Sequence, residues 1–367
     1  MVKVNVKFSV MFKDATGTTA TTIDVSGETV KDLIDALIKQ FGPKFGERIL
    51  DEKTGGVRRF INIFVNGKDI RNLQGADTKL EEGAEVRLIP AVAGGKEFFG
   101  LTQDQIVRYS RQIILREVGG KGQKKLMRSS VLIVGAGGLG SPASLYLTAA
   151  GIGKIGIIDS DRVDLSNLQR QILHTNDDID RPKIESAKEK LQKINPEVKI
   201  ITHNERFAVE NALDIVGDWD FVLDGSDNFP TKFLINDACV LKRVPFSHGG
   251  VLRFVGMTTT ILPGKGPCYR CLTPEAPPPG MIPTCQEAGV LGAVPGVIGA
   301  IQATETIKYL LGSGELLVGR TLFFDALEMR FEEFELKRSP NCPACGDRPL
   351  IKDLSQVDYG HVCEVRF

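Results

Sequence analysis

Val131-Leu132-Ile133-Val134-Gly135-Ala136-Gly137-Gly138-Leu139-Gly140 is an apolar strand that runs into a glycine-rich turn and opens a helix. Gly135, Gly137 and Gly140 match G-x-G-x-x-G, with Gly138 inside the same turn. Such glycines let backbone approach phosphate or ribose at a positively polarised helix N-terminus. Asp159 ends the next strand about 20 residues on, where an acid commonly binds ribose hydroxyls. Taken alone, this marks a nucleotide site and leaves a nicotinamide or flavin oxidoreductase open. Working outward, Val131 to Val134, a helix from Ser141 to Ala150, Lys154 to Asp159, a helix around Pro182 to Ile194, Val198 to Thr202 and Phe221 to Leu223 alternate strand with helix. That alternation predicts an α/β, Rossmann-like, doubly wound sheet that is mainly parallel.

The segments after Asp159 depart from a dehydrogenase. They are Asp164-Leu165-Ser166-Asn167-Leu168-Gln169-Arg170-Gln171, then Arg181-Pro182-Lys183, then Asp224-Gly225-Ser226-Asp227-Asn228, with Arg108-Tyr109-Ser110-Arg111-Gln112-Ile113 ahead of the strand. Together they resemble the adenylating enzymes of the MoeB/ThiF (HesA) family, whose fold also underlies the ubiquitin-activating enzymes, from about Leu101 to Gly346. The resemblance implies that ATP and Mg2+ are used. Arg170 and Lys183 would contact the phosphates, Asp159 the ribose and Asp227 the magnesium. Ser166, Asn167, Leu168, Gln169 and Asn228 would complete the nucleotide site. Arg111 resembles an arginine that family members give to the neighbouring subunit, which implies a homodimer. A carboxylate attacking the α-phosphate of ATP approaches an anion, so cations must offset charge there, and electrostatic preorganisation is usually the largest catalytic contribution.

Seven cysteines are present, four of them in Cys268-Tyr269-Arg270-Cys271 and Cys342-Pro343-Ala344-Cys345-Gly346. Two such pairs suit a four-thiolate metal site, and zinc is the expected ion. They match the family's structural zinc, so Cys268, Cys271, Cys342 and Cys345 would hold it and pin the C-terminal segment to the body. Cys285 sits in a loop rich in Pro and Gly, at a position where the family often carries a cysteine able to form a thioester or acyl disulfide. It is a candidate on that resemblance alone, because no obvious base lies beside it. Cys239 lies at helical spacing and reads as core, and Cys363 stands near the C-terminus. The histidines His174, His203, His248 and His361 are scattered and form no ligand or triad pattern.

Ahead of this domain, Val2, Val4, Val6, Phe8, Val10 and Phe12 alternate as one strand, and Asp14-Ala15-Thr16-Gly17 supplies a turn before the run Thr19 to Val25. Val30, Leu33, Ile34, Leu37, Ile38 and Phe41 fall at helical spacing before Gly42. Phe60 to Val65, the turn Asn66-Gly67 and a last strand, Ala84 to Ile89, follow. The order ββαβ…β resembles the α+β β-grasp fold of ubiquitin-like carriers. Gly94-Gly95 after the last strand makes it look most like the MoaD/ThiS sulfur carriers, whose terminal glycine carboxylate is the reactive group. An unrelated module with a Gly-Gly linker remains the alternative.

The expected organisation is therefore a carrier domain over 1–95, a linker over 96–100, an adenylation domain over 101–347 and a C-terminal extension over 348–367. The expected function is adenylation of a carrier's C-terminal glycine, which prepares a thiocarboxylate for molybdopterin or related cofactor synthesis. Thiamine or another sulfur-transfer pathway, a non-catalytic β-grasp module, and a nicotinamide oxidoreductase are the competing readings. Because Gly95 continues into Lys96, the fused carrier needs cleavage after Gly95, by a separate protease, or else the enzyme serves free carriers in trans. The sulfur donor is expected to be a separate protein such as a cysteine desulfurase or rhodanese. Lys plus Arg and Asp plus Glu are both 46, so no global field attracts nucleic acid or an anionic membrane. Without an apolar run of membrane length or a leader-like start, the chain reads as cytoplasmic.

Overall fold

The computed structural model describes residues 2–9, 12–51, 54–58, 61–90, 100–277, 281, 285–359 and 364–365. It divides into two compact units, Met1–Asp104 and Gln105–Phe367. Among the described residues, no helix is long and apolar enough to cross a membrane.

The first unit is a five-stranded sheet with one main helix, the β-grasp arrangement. Its strands are β1 (Val2–Phe8), β2 (Ala20–Val25), β3 (Ile61–Val65), β4 (Lys68–Asp69) and β5 (Glu85–Pro90), in the order β2-β1-β5-β3-β4. β1 pairs antiparallel with β2 and parallel with β5, so the last strand lies in the middle of the sheet. Val4, Val6 and Phe8 of β1 and Val86 and Leu88 of β5 bury one face together with Leu33 and Leu37 of the helix Val30–Phe41. Thr29 caps that helix through Asp32, and Gly42 ends it at φ +83°. Two details differ from the sequence reading. β1 stops at Phe8, because the chain turns there with the Phe12 amide donating to the Ser9 carbonyl. Phe12 then leads a short helix, Lys13–Thr16, and packs on Phe8 and Phe45, so its burial arises from the turn and its even position in the alternation is incidental. A second helix, Pro43–Ile49, adds Phe45 and Ile49 to the core; it is too short for periodicity to reveal. The segment 91–99, with Gly94 and Gly95, lies outside the described residues.

The second unit holds an eight-stranded sheet, built from β6 (Ser130–Val134), β7 (Lys154–Ile158), β8 (Lys199–His203), β9 (Phe221–Asp224), β10 (Phe246–Leu252), β11 (Val255–Ile261), β12 (Arg320–Asp325) and β13 (Arg330–Glu335). The order is β13-β12-β11-β10-β9-β6-β7-β8. The five strands from β8 to β10 are parallel, and β11 to β13 extend the sheet antiparallel. Both faces of β6 are buried. Val131 and Ile133 meet the helices Gly140–Ala150, Lys183–Ile194 and Ala293–Leu311, whereas Leu132 and Val134 meet Val209–Val216 and Phe229–Lys242. This two-sided burial explains why β6 reads as a continuous apolar run. The chain leaves β6 towards β7 and β8, then crosses to β9 on the other side. The crevice between the carboxyl ends of β6 and β9 is therefore the topological switch point, where open α/β sheets bind ligands.

Candidate functional site

The turn after β6 is built by close backbone contacts. Gly135 has φ +99°, and a Cβ there would lie 2.8 Å from the Gly225 carbonyl oxygen. A Cβ on Gly140 would lie 1.9 Å from the Gly135 carbonyl oxygen. Only glycine fits either position, and the result is a tight loop at the amino end of the helix Gly140–Ala150, whose first amides have no intrahelical acceptors. Gly138 faces Pro295 and the Arg170 side chain, and a Cβ there would lie 3.6 Å from Arg170 Cγ. Gly137 lies nearest to Gln171.

Asp159 follows β7 and fastens this loop. Its carboxylate accepts from the Ala136 amide at 2.8 Å and the Asp161 amide at 2.8 Å. Burial pushes its pKa up, and Lys183 only partly offsets that. Lys183 opens its helix with a buried side chain, and its Nζ lies 2.8 Å from Asp161, whose carboxylate is largely exposed. Asp161 was missed from sequence, since an acid two residues after a strand end carries no distinctive spacing. Arg170 donates to the Ser166 carbonyl at 3.0 Å. Asn167 accepts from the Asp164 amide, and Ser166 donates to the Asp164 side chain; these contacts shape the short turn Leu165–Asn167. Gln169 is packed by its backbone beneath Gly292, and Leu168 is half-buried beside it in the chain. Glycine at 292 is required, because a Cβ would lie 2.1 Å from the Gln169 carbonyl oxygen.

On the far side of the crevice, Asp227 and Asn228 are exposed at the end of β9. Asn228 caps the helix Phe229–Lys242 by accepting from the Thr231 amide at 2.9 Å. Asp159, Lys183 and Arg170 thus come from separate segments to the glycine loop, and Asp227 stands two residues after Gly225. Arg111 stands exposed on the short helix Ser110–Ile113. Cys285 begins the short helix Cys285–Ala288, and its side chain lies outside the described residues, as do Cys363, Gly94 and Gly95.

The four knuckle cysteines converge. Cys268, Cys271, Cys342 and Cys345 place their sulfurs within 4.8 Å of one another, with Cys268 to Cys342 at 3.6 Å and Cys271 to Cys345 at 3.4 Å. A tetrahedral ion with Zn–S bonds of about 2.3 Å sets sulfurs ~3.8 Å apart, so these residues fit zinc. The Ser339 amide points at Cys271 Sγ from 3.4 Å, a contact suited to a thiolate. Beneath the knuckles, Arg270 makes a buried ion pair with Asp237 at 2.7 Å. Tyr359 donates to the same carboxylate at 2.7 Å, and Ile351, Leu354 and Val357 enter the same core. Cys239 is fully buried there, as its helical spacing implied.

The ThiF family profile matches residues 109–344, and the ThiS family profile matches residues 6–95. A sulfur carrier protein adenylyltransferase of Thermus thermophilus is 47% identical over 270 residues, covering 72% of this chain and 99% of that protein. An adenylyltransferase and sulfurtransferase MOCS3 of Culex quinquefasciatus is 47% identical over 267 residues, covering 72% of this chain and 60% of the mosquito protein. Among solved structures, E. coli MccB with ATP matches with a TM-score of 0.58 and 27% identity, over 65% of this chain and 74% of that one.

Proposed function

The chain belongs to the ThiF family and carries a ThiS family segment ahead of it, and from that premise we propose that it is an ATP-dependent adenylyltransferase of ubiquitin-like sulfur carriers. In the reaction, a carboxylate oxygen of the carrier's terminal glycine attacks the α-phosphorus of ATP. The bond from that phosphorus to the pyrophosphate oxygen breaks, leaving acyl-AMP and pyrophosphate. Positioning and charge compensation carry such a step, since the carrier supplies its own nucleophile.

One observation carries this reading: Asp159, Lys183 and Arg170 gather at a glycine loop in the switch-point crevice, with Asp227 across from it. Asp159 can take a ribose hydroxyl while holding the Ala136 amide. Lys183 and Arg170 meet the phosphates, and Lys183 can exchange its exposed partner Asp161 for a phosphate oxygen at little cost. Asp227 is the carboxylate that would hold magnesium, which shields the phosphate charge when bound. Ser166, Asn167 and Asn228 shape the two walls, and Arg111 serves the neighbouring site of a homodimer. The four thiolates of Cys268, Cys271, Cys342 and Cys345 would hold zinc as a closed structural site. Cys285 is the candidate for a covalent carrier intermediate.

Residues 1–95 are the fused carrier, and Gly94-Gly95 is its tail. Its carboxylate becomes available after cleavage following Gly95, and free carriers in trans are the other substrate. A cysteine desulfurase or rhodanese then supplies sulfur, for molybdopterin or a related cofactor. The test is ATP–pyrophosphate exchange by residues 96–367 with residues 1–95 made as a free-ended protein, beside the intact chain. Exchange is expected with the free-ended carrier and not with the uncut chain alone. No exchange in either would refute the carrier assignment.

A further inference from the structure

Beneath the loop that bears Asp227 lies a buried polar cluster that the roles above leave unused. Asp224, at the carboxyl end of β9, is 1% exposed. Its carboxylate meets His248 Nδ1 at 2.8 Å and Lys232 Nζ at 3.1 Å, and it accepts from the Ser226 amide at 3.0 Å and the Ser226 hydroxyl at 2.6 Å. Lys232 also donates to the carbonyls of Ser226 at 2.8 Å and Gly249 at 2.6 Å. Ser226 is therefore held at both its amide and its carbonyl, one residue before Asp227. An ionised carboxylate has no proton to offer, so His248 carries its proton on Nδ1 and donates. The His248 ring also lies 4.3 Å from the Tyr269 ring, and Tyr269 directly follows Cys268. The Tyr269 amide in turn donates to Asn236 on the helix that begins at Phe229.

We propose that His248 is a positioning residue. Through Asp224 it holds the Gly225–Asn228 loop, and with it the Asp227 carboxylate, in the geometry that binds magnesium and nucleotide. The functional half of this inference rests on the adenylation reading. The physical basis is that a buried carboxylate needs all its donors. When one is lost, the remaining donors rearrange around the charge, and two of them belong to Ser226.

Two variants separate the donor from the ring. His248→Phe keeps a ring against Tyr269 and has no donor, whereas His248→Asn places an amide N–H where Nδ1 stood and has no ring. In the zinc-loaded full chain, amide hydrogen exchange across 225–228 is expected to speed up about tenfold in the Phe variant and to stay near the parent rate in the Asn variant. Exchange across β6 should stay unchanged in both. The half-saturating magnesium concentration for pyrophosphate exchange, measured with a free-ended carrier, is expected to rise about tenfold with Phe and to be restored by Asn. Unchanged loop exchange in the Phe variant, or equal acceleration in both, would overturn the positioning role. If the parent enzyme exchanges no pyrophosphate, the adenylation reading fails, while loop hydrogen exchange still decides the positioning role. Should the Phe variant not fold, His248→Leu, which likewise has no donor, replaces it with the same expectation.

Discussion

Gly135 and Gly225 meet backbone to backbone at the switch point: a Cβ on Gly135 would lie 2.8 Å from the Gly225 carbonyl oxygen, and one on Gly225 would lie 2.9 Å from the Gly135 carbonyl oxygen. The two walls of the crevice are therefore a single packed unit. Gly135→Ala should both strain a positive φ and push the walls apart, at a cost of about 1–3 kcal/mol. ATP affinity, measured by calorimetry, should fall at least as far as stability does, and Gly137→Ala, where the nearest neighbour is a flexible glutamine, should be much milder.

Lys183 pairs with Asp161, an exposed carboxylate, and the buried Asp159 carboxylate keeps its two amide donors, Ala136 and Asp161, when the lysine is removed. Lys183→Met should leave urea stability within about 1 kcal/mol. Pyrophosphate exchange should nonetheless drop by about 10²- to 10³-fold, as losses of transition-state charge stabilisers do. A stability loss matching the activity loss would assign the residue to the fold.

The thiolate centre makes a compositional prediction. Purified protein should contain one zinc per chain, and Cys342→Ser should remove it. Because structural zinc supplies folding free energy directly, chelation should lower the melting temperature, with the 339–359 segment the first to gain hydrogen exchange. Its buried anchors, Cys342, Ile351 and Tyr359, share one core with Cys268.

Asp237 is fully buried between Arg270 and Tyr359. Tyr359→Phe removes one neutral donor from a charged acceptor and should cost about 1.5–3 kcal/mol. Asp237→Ala leaves the Arg270 guanidinium buried without its counter-ion and should cost about 3–5 kcal/mol. Urea titration of both variants checks the ranking, and the reverse order would refute it.

His174 is buried, with Nδ1 against Ser186 and Nε2 against the Ala136 carbonyl of the glycine loop. Burial lowers its pKa from 6.5 to about 4. The unfolded chain therefore takes up this proton at a higher pH than the folded one, so the contribution is fully present above about pH 6.5 and is lost as pH falls towards 4. The contribution is about 3 kcal/mol across that window. His174→Gln should flatten this part of the stability–pH curve, and an unchanged slope would contradict the assignment.

Much of this molecule follows from local sequence. The apolar run into Gly135–Gly140, the alternation of strands and helices and the period of Val30 to Phe41 are short-range signals, because side-chain periodicity and glycine conformation act within a few residues. The two Cys-x-x-Cys pairs were equally legible, since metal geometry restricts ligand spacing. Tertiary structure alone decided which residues distant in sequence meet. It brought Gly225 against Gly135, His248 against Asp224 and Tyr359 against Asp237, the last pair 122 residues apart. It also turned Phe12 out of β1 and paired Lys183 with Asp161. No local pattern marks such partners, because a buried charge is satisfied by whichever donor the fold carries to it, and sequence distance places no limit on that choice.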